Sequence, residues 1–435
     1  MRKEYALFSV VMVVGTIVCG TILWFIVRSA AQTPQDMKVV QLDQKIPAFY
    51  DSVFRTTDFN STSLVIVDPI VGVRGKPFLN YYKGLGPHDA LGFRNVNVPR
   101  VADIVTIGDS QTYGNNVLIS DNWPSLLTKE LPDKQSTVYN MSIGGWAAPQ
   151  YLDAFKKALF FQPKVIVVAI YTGNDFHESY KTAYSIAGWK PLRPSTELTI
   201  DNLPKVAFPP PKSERQKVIF NDGYETEFTI EHRLVGNDRS EPAILAGVQI
   251  VKNVIDRIAA LASKVSGVKV FVTIVPTKET VYSKRVKQEN IQLPDKYNLL
   301  VTDEGKNSDE IKAFIQTKPN LTYIEIAKAL IENATSYSAF YPENENGHPN
   351  EAGHGLIAKV ISEAIKPSLD QMLSGLIKVL SDHNEYDFYY IKDGMMWFVN
   401  SELIENKNSI SEIKLRELAL FTPKGVIRTK SEIFW

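Results

Sequence analysis

Residues Lys164 to Ile170, KVIVVAI, constrain the possible fold more than any other stretch of this chain. After the lysine no polar side chain interrupts the run, so a strand here has no face to offer to water. Such a strand must be covered on both sides, as an inner strand of a parallel sheet between two helical layers is. The neighbouring segments keep the same rhythm. Strands are predicted at Val101 to Ile107, Ser136 to Asn140, Val268 to Val275 and Leu321 to Ile326. Between them, helices are predicted around Trp123 to Leu131, with Asp121 as cap, and at Tyr151 to Phe161. A third, Ala243 to Ala262, sets Val248, Val251, Ile255, Ile258 and Leu261 on one stripe. Another follows the fifth strand, and a last helix should run from Glu351 to Ile365 and stop before Pro367. This alternation predicts an α/β fold, a parallel sheet with helices on both faces.

Four parts are expected: residues 1–31 as an anchor, 32–98 as a connector, 99–367 as the main domain and 368–435 as an appendage. Tyr5 to Val27 carries no charge and is long enough to cross a bilayer. Arg2 and Lys3 favour a cytoplasmic N-terminus with the rest outside. A cleaved signal peptide ending near Ser29-Ala30-Ala31 is the rival, but the apolar run is long for a signal core and Arg28 is badly placed for cleavage. Ser179 to Pro242 breaks the βαβα rhythm and reads as an insertion overhanging the site, with a hairpin from Lys217 to Ile230 turning at Asn221-Asp222-Gly223. The tail has a second predicted hairpin, Phe388 to Val399, and reads as a small β-containing unit.

Charge excludes some partners. The 48 basic and 48 acidic residues cancel, and no basic run alternates with aromatics, so nothing points to nucleic acid. One cysteine and six histidines, with no His-Glu-x-x-His spacing, argue against a metal site, and no cofactor motif stands out.

Chemistry collects where strands end. Gly108-Asp109-Ser110 follows the first predicted main-sheet strand, Gly144-Gly145 the second, and Gly173-Asn174-Asp175 the third. Glu345-Asn346-Gly347-His348 lies ahead of the last helix. Each has a plain structural reading: Asp109 or Ser110 as a helix cap, the glycines as a tight turn, Asn174 as an Asx turn, His348 as a surface histidine. In a parallel sheet these turns share one rim, which is where sites form. That rim then holds a hydroxyl, an imidazole to take its proton, and donors for an oxyanion in the Gly145 N–H and the Asn174 amide. Arg94, in Leu91-Gly92-Phe93-Arg94, is read either as a packing residue or as a substrate contact or brace beside the nucleophile turn; Asp109 is a second candidate substrate contact.

The order Gly108-Asp109-Ser110, a glycine in a second block, Gly173-Asn174-Asp175 and a C-terminal histidine resembles the SGNH (GDSL-type) hydrolase superfamily, over about Leu91 to Pro367. Leu91 to Arg94 and Ile274 to Glu279 (IVPTKE) look like its bacterial membrane-anchored branch, associated with cell-surface polysaccharides. The resemblance implies a flavodoxin-like three-layer α/β/α sandwich, Ser110 as nucleophile, His348 as base, and Gly145 and Asn174 as oxyanion donors. It also implies an Asp three residues before the histidine, where this chain has Glu345, or two before, where it has Asn346. Glu345 is the expected partner; Asn346 would hold the tautomer without stabilising the imidazolium.

The expected protein is therefore a membrane-anchored, extracytoplasmic serine esterase or acyltransferase. By the resemblance its substrate is an O-acyl, chiefly O-acetyl, ester of an envelope glycan, and polysaccharide-machinery proteins are its expected partners. The alternative is a catalytically weak glycan-binding or scaffold component.

Overall fold

The computed structural model describes residues 63–131, 136–265, 267–335 and 339–370, and five strands between 375 and 427. Strands β1 (Val65–Asp68) and β2 (Gly72–Gly75) form an antiparallel pair. The central sheet is built from β3 (Ile104–Ile107), β4 (Val138–Asn140), β5 (Val165–Tyr171), β8 (Lys269–Val275) and β9 (Leu321–Ile324). Between them, β6 (Gln216–Ile219) and β7 (Glu225–Phe228) make the predicted hairpin. The spatial order of the central sheet is β4-β3-β5-β8-β9, with every pairing parallel. Taken by chain order this is the flavodoxin-like sequence 2-1-3-4-5, whose switch point falls between its first and third strands. Here those are β3 and β5, and the crevice at their carboxyl ends is where Ser110 and Asn174 begin their helices.

All seven residues of β5 are buried, as the apolar run required. Its side chains alternate between two cores. Val165, Val167, Ala169 and Tyr171 belong to one, with Trp123, Leu127, Ile357 and Ile361. Val168 and Ile170 face the other, with Tyr151, Val251, Ile255 and Ile258. Full burial of each Val or Ile stabilises the sheet by about 1.5–3 kcal/mol.

The helices are α1 (Ser110–Tyr113), α2 (Trp123–Glu130), α3 (Ala148–Ala158), α4 (Asp175–Ser185), α5 (Ile230–Val235), α6 (Pro242–Ala262), α7 (Lys278–Val281), α8 (Ser283–Gln288), α9 (Asp295–Gln316), α10 (Ile326–Asn333) and α11 (Glu351–Asp370). Helices α3, α4 and α6 pack together, and α11 packs on α2 and α10. The cap of α2 is Asn122, whose side chain accepts from Ser125 N, rather than the expected Asp121. Helix α4 extends to Ser185, so the break in rhythm starts later than Ser179. Helix α11 continues through Pro367, where the residue is exposed and the carbonyl that loses its helix bond lies near the end of the helix. Helix α9 was not foreseen.

Strands β10 (Gly375–Leu380), β11 (Tyr386–Lys392), β12 (Met395–Val399), β13 (Ser411–Ile413) and β14 (Thr422–Ile427) form a separate sheet in the order β13-β10-β11-β12-β14. β11 and β12 pair antiparallel over the second predicted hairpin. Tyr5 to Val27 lies outside the described residues, and no helix among the described residues is long and apolar enough to cross a membrane.

Candidate active site

The Gly108 turn builds the site from its centre. A β-carbon on Gly108 would come within 2.2 Å of Thr112 Oγ1, so only glycine lets the chain turn from β3 into α1 here. Asp109 then caps α1, its Oδ1 accepting from Gln111 N at 2.9 Å. Asp109 is fully buried, which removes it as a substrate contact; its role is structural. Burial pushes its carboxyl up to about 7. Its neighbour in the core is Asp175, which accepts from Tyr171 N at 2.9 Å and from the Tyr151 hydroxyl at 2.9 Å. Burial, and then the charge of Asp109, raise the Asp175 carboxyl as well.

Ser110 emerges from this turn 7% exposed, with its Oγ 2.8 Å from His348 Nε2 and 3.3 Å from Asp109 Oδ2. The two partners are 238 residues apart in the chain. The other ring nitrogen, Nδ1, donates to Asn346 Oδ1 at 2.7 Å, which leaves Nε2 as the acceptor for the serine proton. Asn346 is itself fixed: its Oδ1 also takes the His348 amide at 3.1 Å, and its Nδ2 donates to Asn116 Oδ1 at 3.2 Å. Gln111 Nε2 donating to Gly347 O at 3.3 Å ties the serine helix to the histidine loop.

Glu345 does not reach the imidazole. Its carboxylate is held by Arg215 Nη1 at 2.9 Å, a cation supplied by the segment leading into β6. The expected acid–histidine pair is therefore replaced by an amide–histidine pair. With no acid on the ring, burial, then Arg233, then Lys278 depress the His348 imidazole to about 3.

Lys278 was missed. It follows the carboxyl end of β8, is 1% exposed, and spends its ammonium on Thr226 Oγ1 (3.1 Å), Asn344 O (2.7 Å) and Asn346 O (3.3 Å). It pins the histidine loop to β7, and its place after a parallel strand was the available signal. Arg233 was also missed, having no local motif to mark it.

The remaining candidates are placed as follows. The Gly144–Gly145 turn lies beside the nucleophile, since a β-carbon on Gly144 would stand 3.6 Å from Ser110 Cβ. Gly145 has φ +81°, and among the described residues its amide meets no protein acceptor. Asn174 sits at the N-cap of α4 without capping it, and its buried Oδ1 has no partner among the described residues. The Asx-turn reading of Asn174 thus does not hold. Arg94 is 1% exposed and spends its guanidinium on backbone carbonyls: Gly86 (3.0 Å), Tyr113 (3.3 Å), Val117 (2.9 Å) and Gly114. It is a brace for the loop after α1, not a substrate contact. His354 is buried and accepts from Trp123 N at 3.3 Å, a packing role. Among the described residues no group of three His, Cys, Asp or Glu is placed to hold a metal ion.

No protein-family model matches the chain, and no curated protein matches it. Solved structures to which it is similar include a lipolytic protein of the G-D-S-L family from Desulfitobacterium hafniense, at 12% identity and TM-score 0.34, covering 60% of this chain and 97% of that one. Another is a member of the lipolytic G-D-S-L family from Veillonella parvula, at 14% identity and TM-score 0.33, covering 60% and 96%. A third is a GDSL-like lipase from Bacteroides thetaiotaomicron, at 13% identity and TM-score 0.31, covering 62% and 93%.

Proposed function

We propose that this chain is a serine ester hydrolase or O-acyltransferase of the SGNH type. In this reading residues 5–27 hold it to the cytoplasmic membrane with the α/β domain outside. The observation that carries the chemistry is the 2.8 Å contact between Ser110 Oγ and His348 Nε2, with Nδ1 committed to Asn346. Ser110 attacks the acyl carbonyl carbon as His348 Nε2 takes its proton. The oxyanion is received by the Gly145 amide and the Asn174 side chain. His348 returns the proton to the departing alcohol, leaving an acyl-Ser110 ester. Water or a sugar hydroxyl then attacks that ester, giving its proton back through His348. An O-acetyl ester of an envelope glycan is the proposed substrate, on the strength of the motif resemblance.

A second reading is favoured by Asn346: a glycan-binding scaffold whose site turns over slowly, because an amide cannot stabilise the imidazolium. One experiment separates them. The purified chain is exposed to a fluorophosphonate probe and to p-nitrophenyl acetate, beside Ser110→Ala. The esterase reading expects labelling and turnover that the variant loses; equal behaviour of the two proteins would falsify it. Adding an oligosaccharide acceptor and analysing for acylated sugar then distinguishes transfer from hydrolysis.

A further inference from the structure

We infer that Arg233 is a subsite for negative charge, so that the esters acted on at Ser110 carry an anionic oxygen group, such as a carboxylate or phosphate, near the scissile bond. The inference rests on the ester-transfer reading above and names its substrate class.

Arg233 lies on α5, within the segment that interrupts the α/β rhythm, yet its guanidinium is delivered to the site. Its Nη1 donates to Gly173 O at 3.4 Å, and a β-carbon on Gly347 would come within 2.6 Å of its Nη2. Gly173 precedes Asn174 and Gly347 precedes His348. The cation therefore touches both loops that flank the nucleophile. Its carbon centre is 5.7 Å from the Tyr171 ring, which lines the end of β5.

Donor accounting separates it from Arg94, Lys278 and Arg285. A guanidinium has five N–H groups. Arg94 uses its own on four carbonyls, Lys278 uses its ammonium on three oxygens, and Arg285 pairs with Asp222 and Glu289. Arg233 makes one long bond to Gly173; its Nε is buried with no acceptor, and no carboxylate among the described residues pairs with it. The acids whose charge acts on it do not bond to it: Glu279 Oε1 takes Thr229 N at 2.7 Å while its Oε2 is buried with no partner among the described residues, and Glu304 takes Thr172, Thr277 and Thr280. Burial works against the charge of Arg233, but Tyr171, Glu279, Glu304 and Asp109 around it outweigh that, and it stays protonated.

Arg233 is half-buried; leaving its buried Nε unmet is costly, and a planar fork is suited to a carboxylate or phosphate arriving in its plane. The absence of an acid on His348 agrees with this. The charged groups that act on the imidazole are Arg233 and Lys278, with no carboxylate among them, so an arriving anion meets no acid at the ring itself.

The test compares esters matched except for charge: 4-acetoxybenzoate with 4-acetoxybenzamide, and mono-4-nitrophenyl succinate with 4-nitrophenyl butanoate. The first pair carries the charge on the alcohol side and the second on the acyl side. In at least one pair kcat/KM should favour the charged member by about tenfold or more, the scale of a charge-assisted contact. Arg233→Gln should collapse that ratio toward one, and Arg233→Lys should restore part of it. The ratio cancels general damage to the site and any change in His348 basicity. Charged and neutral members treated alike by the wild type, or lowered alike in Arg233→Gln, would overturn the proposal. Binding of 4-hydroxybenzoate against 4-hydroxybenzamide to Ser110→Ala, with and without Arg233→Gln, decides it independently of turnover. Preferential binding that needs Arg233 supports the anion subsite even if every ester proves inert and the esterase reading falls; equal binding of the two, with no charge preference in the succinate pair, sinks it.

Discussion

Asn346 Oδ1 stands 2.7 Å from His348 Nδ1, in the position where a serine hydrolase ordinarily carries a carboxylate. An amide fixes the tautomer but leaves the imidazolium of the transition state without a counter-charge. Asn346→Asp should supply it at the cost of one long bond, since the Asn116 side chain can turn its amide toward the new carboxylate by giving up Pro349 O at 3.4 Å. We expect kcat on p-nitrophenyl acetate to rise by about tenfold or more, a modest share of what the acid contributes in complete triads. A variant no faster than wild type would mean that the imidazole's counter-charge does not limit turnover.

Glu345 makes the complementary case. Its carboxylate is partly exposed and bonded to Arg215, an arrangement worth at most about 1 kcal/mol. Glu345→Gln should therefore leave kcat/KM within about threefold of wild type by the same measure. A loss of two orders of magnitude would show that Glu345 swings onto His348 during catalysis.

The pH profile follows from the same site. Burial, and then Arg233 and Lys278, hold the His348 imidazole at about 3, well under its ordinary value. The neutral ring is the working form of a base, and a lowered value keeps it neutral further into acid. The kcat/KM of the free protein should stay level from pH 8 down to about 5, where an unperturbed histidine would already have lost activity. In Asn346→Asp the acid limb should move upward, because the new carboxylate favours the imidazolium. A wild-type limb near 7 would place control with the Asp109 carboxyl instead.

Arg94 should behave as a brace. Arg94→Met keeps much of the stem and strands the carbonyls of Gly86, Gly114 and Val117, while that of Tyr113 keeps Asn122 Nδ2 at 3.3 Å. Urea unfolding should show a loss of roughly 3 kcal/mol. The KM of the protein that remains folded should not change. A raised KM with undiminished stability would return Arg94 to the substrate.

The parts of this molecule that were legible are those where side-chain type and backbone position coincide. KVIVVAI had to be an inner parallel strand because none of its apolar faces could meet water. That Ser110, Gly145 and Asn174 follow strand ends was legible because parallel strands put their carboxyl ends on one rim. Helix α9 was not, because its buried residues, Tyr297, Leu300, Asp303, Glu304, Asn307, Ile311 and Ile315, are polar at the centre. Glu304 serves the threonine network and Asp303 and Asn307 hold Arg239, so the apolar period breaks where tertiary bonds replace it. The choice between Glu345 and Asn346 was illegible for another reason. A residue three before His348 and one two before can both reach its ring, and the direction of each side chain is set by Arg215 and Asn116, contacts that only the fold creates.

Lys278 offers the sharpest test of how the histidine loop is held. Its three bonds join β7 to the carbonyls of Asn344 and Asn346, so the loop's position depends on an ammonium at the end of β8. Lys278→Met preserves the buried stem and removes the donors. Misplacement of His348 by a fraction of an ångström should then lower kcat by about a hundredfold while KM moves little, because reacting groups must be aligned closely and binding groups less so. Lys278 also depresses the imidazole, so its loss should raise the acid limb of the residual activity toward neutrality. A purely structural residue would lower the amount of folded protein without shifting that limb. The measurement is the pH dependence of kcat and kcat/KM for Lys278→Met beside its melting temperature. An unchanged limb with a lowered melting temperature would reduce Lys278 to a packing residue.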